Sequence, residues 1–181
     1  MVTFSNSFIS VASDADIVSL TALLNGAYRG ESSRKGWTTE ADLIAGTVRT
    51  SQSSLKELMN LPNSVMLKYC KDGQQVAACV NLQQHQNKIY LGMLAVSPVL
   101  QGVGIGKHLL KAAEEYALQL GCTAIYMTVI SVRSELIAWY KRNGYAETGQ
   151  RKPFMEEEET GQHLQPLDFM LLEKNIFNKY I

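Results

Sequence analysis

Three closely spaced glycines give the chain its most chemically informative segment. It reads Leu94-Ala95-Val96-Ser97-Pro98-Val99-Leu100-Gln101-Gly102-Val103-Gly104-Ile105-Gly106-Lys107. Glycine has no Cβ, so main-chain N–H groups there can come close to an anion. A helix that starts at such a turn adds unpaired N–H donors and the positive end of its dipole. Together these form a phosphate cradle. Three phosphate loops can be compared with it. A Walker loop needs a glycine where Gln101 stands and Ser or Thr where His108 stands. A dinucleotide turn counted from Gly102 and Gly104 needs a third glycine where Lys107 stands, and it usually follows the first strand of its fold. The pattern Gln-x-x-Gly-x-Gly is met in full by Gln101, Gly104 and Gly106. A ligand-free strand-to-helix connection is the plain alternative. Two further stretches hold reactive side chains. One runs from Tyr28-Arg29-Gly30-Glu31 to Gly36-Trp37-Thr38-Thr39-Glu40, and the other holds Arg133 and Trp139-Tyr140.

The elements that must position these residues can be read from spacing. Ser13 and Asp16 form a capping box for a helix over 13–29, with Ile17, Leu20, Leu24, Ala27 and Tyr28 recurring on one face and Gly30 ending it. Thr38 or Thr39 is expected to cap a second helix holding Ile44 and Val48, and another turn of helix holds Leu55, Leu58 and Met59. Strands are expected over 64–69 and 75–82, joined at Asp72-Gly73, and over 88–96 after a turn near Gln86-Asn87. The period then changes. Leu109, Leu110, Ala113, Ala117 and Leu120 mark a helix over 104–120, and 123–130 is β-branched and apolar. A strand, helix, strand order calls for a parallel crossover. A helix over 133–142 and strands over 145–151 and 167–173 close the chain. No linker or repeat divides it, so residues 1–181 read as one α/β domain with a mixed, mostly antiparallel sheet flanked by helices.

Composition narrows the partners. The 181 residues carry 17 Lys and Arg against 17 Asp and Glu. A balanced charge is unlike a nucleic-acid binder or a polybasic membrane-surface protein. No apolar run approaches the roughly 18 residues of a spanning helix, and no Lys or Arg precedes Arg29 as a signal peptide would require. Cys70, Cys79 and Cys122 lack CxxC spacing and read as reduced, buried thiols of a cytoplasmic protein. His85, His108 and His163 are far apart and fit no HExxH pattern, so no metal is expected. His85, near a hairpin turn, and the run Glu156 to Glu159 read as solvated surface.

With Gln101, Gly104 and Gly106, Leu94 and Val96 before them, and Trp139-Tyr140-Lys141-Arg142-Asn143-Gly144-Tyr145 after them, the chain resembles the GNAT family of N-acetyltransferases. That family's pyrophosphate motif is Gln/Arg-x-x-Gly-x-Gly/Ala, and its late signature is aromatic-Tyr-x-x-x-Gly-aromatic. The resemblance implies the acyl-CoA N-acyltransferase fold, acetyl-CoA as cosubstrate and direct attack by a primary amine. It assigns the pyrophosphate to Gln101, Gly102, Val103, Gly104, Ile105, Gly106 and Lys107. It assigns the pantetheine arm to Leu94, Ala95 and Val96, exposed by a splay between strands 88–96 and 123–130. An N–H of that strand facing the thioester oxygen would stabilise the reacting centre by about 3 kcal/mol. Tyr140 takes the place of the general acid. A tyrosine, with a pKa of about 10, stays protonated where a thiol of about 8.5 needs a proton. Cys122 lies outside the loop, so no covalent cysteine step is implied.

Two departures stand out. Strand 88–96 holds no carboxylate where many relatives carry a glutamate base, and Arg133 stands where many carry an asparagine. Arg133 could meet a CoA phosphate, meet an acidic group on the acceptor, or cap its helix. Glu31 and Glu40 are the remaining candidate bases or amine-binding carboxylates, and Tyr28, Arg29 and Trp37 are the acceptor-side residues. A tryptophan with two carboxylates points to a small cationic acceptor. A protein amine is the alternative acceptor, and a non-catalytic acyl-CoA-binding module is the alternative function. C-terminal edge strands could pair two chains into a homodimer.

Overall fold

The computed structural model describes residues 2–71, 73, 75–156 and 161–176. Seven strands form one sheet in the order β1-β2-β3-β4-β5-β7-β6. They are β1 (Ile9–Val11), β2 (Ser64–Tyr69), β3 (Ala78–His85), β4 (Lys88–Val96), β5 (Ala124–Ile130), β6 (Ala146–Pro153) and β7 (Asp168–Asn175). The helices are α1 (Ile17–Tyr28), α2 (Gly30–Ser33), α3 (Gln52–Met59), α4 (Ile105–Gln119) and α5 (Ser134–Arg142). Neighbouring strands are antiparallel except β4 and β5, which run parallel across the α4 crossover.

Alternation along the strands supplies both faces of the core. Ile89, Leu91, Ile125 and Met127 meet Leu109, Leu110, Ala113 and Ala117 of α4 in one buried cluster. Met66, Cys79 and Ala95 meet Leu20 and Leu24 of α1 and Leu55 of α3 in another. Two helical layers therefore clamp the sheet at β2, β3 and β4, the region that leads into the glycine turn.

The feature that opens a site is the shortness of the parallel pairing. β4 and β5 share register only at Lys88↔Ala124, Ile89↔Ile125 and Tyr90↔Tyr126. Beyond that point β4 stays with β3 up to Val96, while β5 stays with β7 up to Phe169. A bulge helps turn β4 away. Between Cys79↔Ala95 and Asn81↔Gly92, β4 carries one residue more than β3, and Met93 takes φ +50°.

Several expectations need correction. The helix expected around Ile44 and Val48 does not form. Leu43 and Ile44 N–H groups both return to Glu40 O, and Ala45 N–H donates to Gln162 O, so long-range contacts hold this stretch as turns. Ile44 bridges His163 instead. The helix expected from residue 13 begins with a 3-10 turn at Asp14–Asp16 and becomes α-helical at Ile17, with Ser13 N–H donating to Asp16 Oδ2 at 2.8 Å. β3 starts at Ala78 rather than residue 75, and β1 was not anticipated. Gly73 lies in a turn, whereas Asp72 and Glu157–Glu159 fall outside the described residues.

Candidate active site

The open side of the β4–β5 fork leads into a cavity of about 380 Å³. Its walls are Leu94, Ala95 and Val96 from β4, the turn from Leu100 through Lys107 without Val103, Ala27 and Tyr28 from α1, Trp37 and Thr38 from the following loop, and Arg133, Leu136, Trp139, Tyr140 and Arg142 around α5. Gly104, the residue before α4, holds φ +92°, a left-handed conformation that costs an L side chain roughly 1–2 kcal/mol. No atom lies within 4 Å of where a Cβ on Gly102 or Gly104 would stand, so the turn offers bare backbone. Lys107, Arg133 and Arg142 supply three positive charges to the lining, and among the described residues no Asp or Glu lines it. This fits a diphosphate-bearing ligand. Val103 points outward and is 71% exposed.

Gln101 has a structural duty beside any contact with a ligand. Its Oε1 accepts from Trp37 N–H at 2.9 Å and its Nε2 donates to Val96 O at 3.2 Å. The loop after α2 is thus tied across the cavity to the end of β4. Gly36 permits this closeness, because a Cβ there would collide with the Gln101 amide. Trp37 and Trp139 rings lie 6.5 Å apart, and Trp139 in turn closes on Gly106.

The candidate carboxylates are placed very differently from one another. Glu31 points to solvent, its side chain 93% exposed and 3.5 Å from Arg34, away from the cavity. Glu40 is buried behind the cavity wall between two guanidiniums. Its Oε2 is 3.4 Å from Arg29 Nη2 and its Oε1 is 3.2 Å from Arg133 Nη1. Arg29 is fully buried, donates to Val48 O at 2.8 Å and does not line the cavity. Arg133 donates to Thr38 Oγ1 at 2.7 Å, and although it precedes α5 its side chain does not cap the helix. Neither Glu31 nor Glu40 is presented to the cavity, so the two carboxylates that pointed to a cationic acceptor do not face it.

Two tyrosines do face it. Tyr140 is buried on α5, and desolvation first, then the neighbouring Tyr28, raises its pKa well above the ordinary tyrosine value. Tyr28 Oη donates to Leu94 O at 2.9 Å, on the β4 edge that β5 has left, and burial raises its pKa too. Both hydroxyls therefore keep their protons at neutral pH. The buried Cys79 thiol is pushed up to about 12 by desolvation and takes no part in the cavity. Sequence reasoning missed Thr38, Leu100, Leu136, Trp139 and Arg142 as lining residues. Arg142 and Trp139 lay within the quoted late signature, three residues apart on one helix face, which was the available signal.

Comparison with known proteins adds to this geometry. The description "Acetyltransferase (GNAT) family" matches residues 27–145. Among solved structures, the ribosomal-protein-S18-alanine N-acetyltransferase from Escherichia coli is similar with 16% identity and a TM-score of 0.67, covering 96% of this chain and 97% of the other. Ard1 from Thermoplasma volcanium is similar with 15% identity and a TM-score of 0.70, covering 94% and 97%. The ribosomal-protein-alanine N-acetyltransferase from Brucella melitensis is similar with 20% identity and a TM-score of 0.68, covering 93% and 99%. At these identities the likeness is one of fold.

Proposed function

The chain belongs to the acetyltransferase (GNAT) family, and we propose that its cavity takes acetyl-CoA and passes the acetyl group to a primary amine by direct attack, with Tyr140 as the general acid. The observation that carries this reading is a proton-bearing Tyr140 in the same cavity as a bare glycine turn and a strand edge that β5 has left. The coenzyme supplies an acyl group activated as a thioester. Backbone N–H groups between Gly102 and Lys107, with the Lys107 and Arg142 charges, are suited to its diphosphate. The β4 edge at Leu94 to Val96 is suited to the amides of its arm.

Transfer needs a C–N bond to form, a C–S bond to break and the departing sulfur to gain a proton. Tyr140 can donate that proton, since burial keeps its hydroxyl neutral. The amine must lose protons in exchange, and among the described residues no carboxylate lines the cavity to take one. The acceptor then reacts from its neutral fraction, and its surplus proton passes to water, from which Tyr140 regains the proton it gave to the sulfur. The test is a thiol-release screen of primary amines with acetyl-CoA, paired with calorimetric titration of the coenzyme. Thiol release that depends on an added amine supports the reading. Coenzyme binding without release from any amine would leave a holding module instead of a transferase.

A further inference from the structure

Among the described residues the charges beside Tyr28 do not balance. Arg29 and Arg133 are buried and share a single buried carboxylate, Glu40. Two guanidiniums against one carboxylate leave an interior surplus of positive charge, which desolvation makes unfavourable unless another anion arrives. Arg133 shows where the surplus is open. Its two Nη atoms are taken by Glu40 and Thr38, but its buried Nε has no hydrogen-bond partner. The half-exposed Glu135 has an oxygen 3.9 Å from that Nε, outside hydrogen-bond reach.

A third guanidinium lies alongside. Arg49 is held 5.4 Å over the Tyr28 ring. Its backbone is pinned there, because Asn25 Oδ1 accepts from the N–H groups of Arg49 and Thr50 at 2.6 and 3.0 Å. Among the described residues no carboxylate forms an ion pair with Arg49. Tyr28 itself reaches Leu94 O, at the strand edge rather than the glycine turn. The unmatched charge therefore gathers around Tyr28, which lines the cavity, with Arg133 in the lining and Arg49 behind the Tyr28 ring, while Lys107 and Arg142 remain for the coenzyme phosphates.

Resting on the acyl-transfer reading of this cavity, we propose that the acceptor is an amine that also bears a carboxylate, in class an amino acid, and that Arg49 and the unpartnered Nε of Arg133, turned toward it by a small shift of the side chain, receive that carboxylate beside Tyr28. A guanidinium presents planar N–H donors that match a carboxylate, and such charge-assisted bonds are strong where water is excluded. The arrangement selects against amines of matched shape that lack the negative group.

The experiment compares L-amino acids with their own carboxamides as acceptors in the acetyl-CoA thiol-release assay. These pairs keep the amine and side chain and remove only the charge. We expect kcat/KM to favour the acids at least tenfold. Arg49→Gln should shrink that acid-to-amide ratio at least tenfold, and Arg49→Lys should retain part of it. Coenzyme titration followed by tryptophan fluorescence shows that each variant is folded with an intact cavity. Equal use of acids and amides, preference for the amides, or turnover confined to amines without a carboxylate would overturn the proposal. A raised coenzyme Kd in Arg49→Gln with an unchanged ratio would give the anion to the coenzyme and also overturn it. Absence of thiol release with every amine tried is a different failure, that of the transferase reading beneath it.

Discussion

Tyr140 and Glu40 are both buried, yet their surroundings suit them to opposite duties in the proposed reaction. The hydroxyl of Tyr140 faces the cavity with its proton held by desolvation. Tyr140→Phe should therefore lower kcat by about 10²–10⁴-fold, the usual span for a general acid. Coenzyme affinity measured by calorimetry should stay near the parent value. Glu40 instead neutralises charge, with each oxygen engaged by a different arginine. Glu40→Gln leaves Arg29 and Arg133 buried without a counter-charge, and removing one partner of a buried pair costs about 3–5 kcal/mol. Denaturant unfolding should show that loss. A Glu40→Gln protein with parent stability and a collapsed kcat would identify a base and contradict this account. The sequence placed both residues in functional company through their motifs. It could not tell that Glu31 turns outward while Glu40 turns inward, since that depends on where α2 ends and on Arg133, far along the chain.

Among the elements, α4 was the easiest to foresee. Leu109, Leu110, Ala113 and Ala117 recur on one face, and the glycines before them announce the turn. The stretch around Ile44 carried a similar short-range pattern and still failed to become a helix, because Ala45 and Leu43 are held by backbone bonds to Gln162 and Leu164. Propensity yields to such tertiary ties. The bulge at Met93 left little trace in the sequence beyond the adjoining Gly92, and a single strand glycine has many other causes. The start of α4 makes its own prediction. Gly104→Ala meets no neighbouring atom, but it must adopt φ +92°. It should lose roughly 1–2 kcal/mol of stability in thermal unfolding. Its methyl group would also stand over bare backbone, so the coenzyme Kd should rise several-fold more than stability alone explains.

At the level of the whole molecule, the buried tyrosines tie stability to alkaline pH. Burial raises the pKa of Tyr28, Tyr140 and Tyr145 above the unfolded value of about 10. The folded chain keeps protons there that the unfolded chain releases, so the unfolded state loses protons first as pH rises. The stabilisation is complete below about pH 10 and is lost progressively above it. Melting temperatures should hold through neutral pH and then drop, with phenolate absorbance appearing together with unfolding. Phenolate absorbance from all three rings ahead of unfolding would contradict this. The coarse architecture was legible because period and turn residues agreed over most of the chain. The splay of β4 from β5 was legible only through the family resemblance, and its onset after Tyr90 and Tyr126 was not, since nothing in either strand's composition marks where neighbours part.

That brief pairing makes the molecule resemble a book stitched only at the foot of its spine. The two leaves of the sheet meet through a handful of backbone bonds, and side chains from α1, α5 and the Trp37 loop bridge the rest of the gap. Any molecule wedged between the pages becomes extra binding thread. Amide deuterium uptake along Leu91–Val96 and Met127–Ile130 should therefore slow sharply once coenzyme is added, while the already stitched β2–β3 hairpin should scarcely notice.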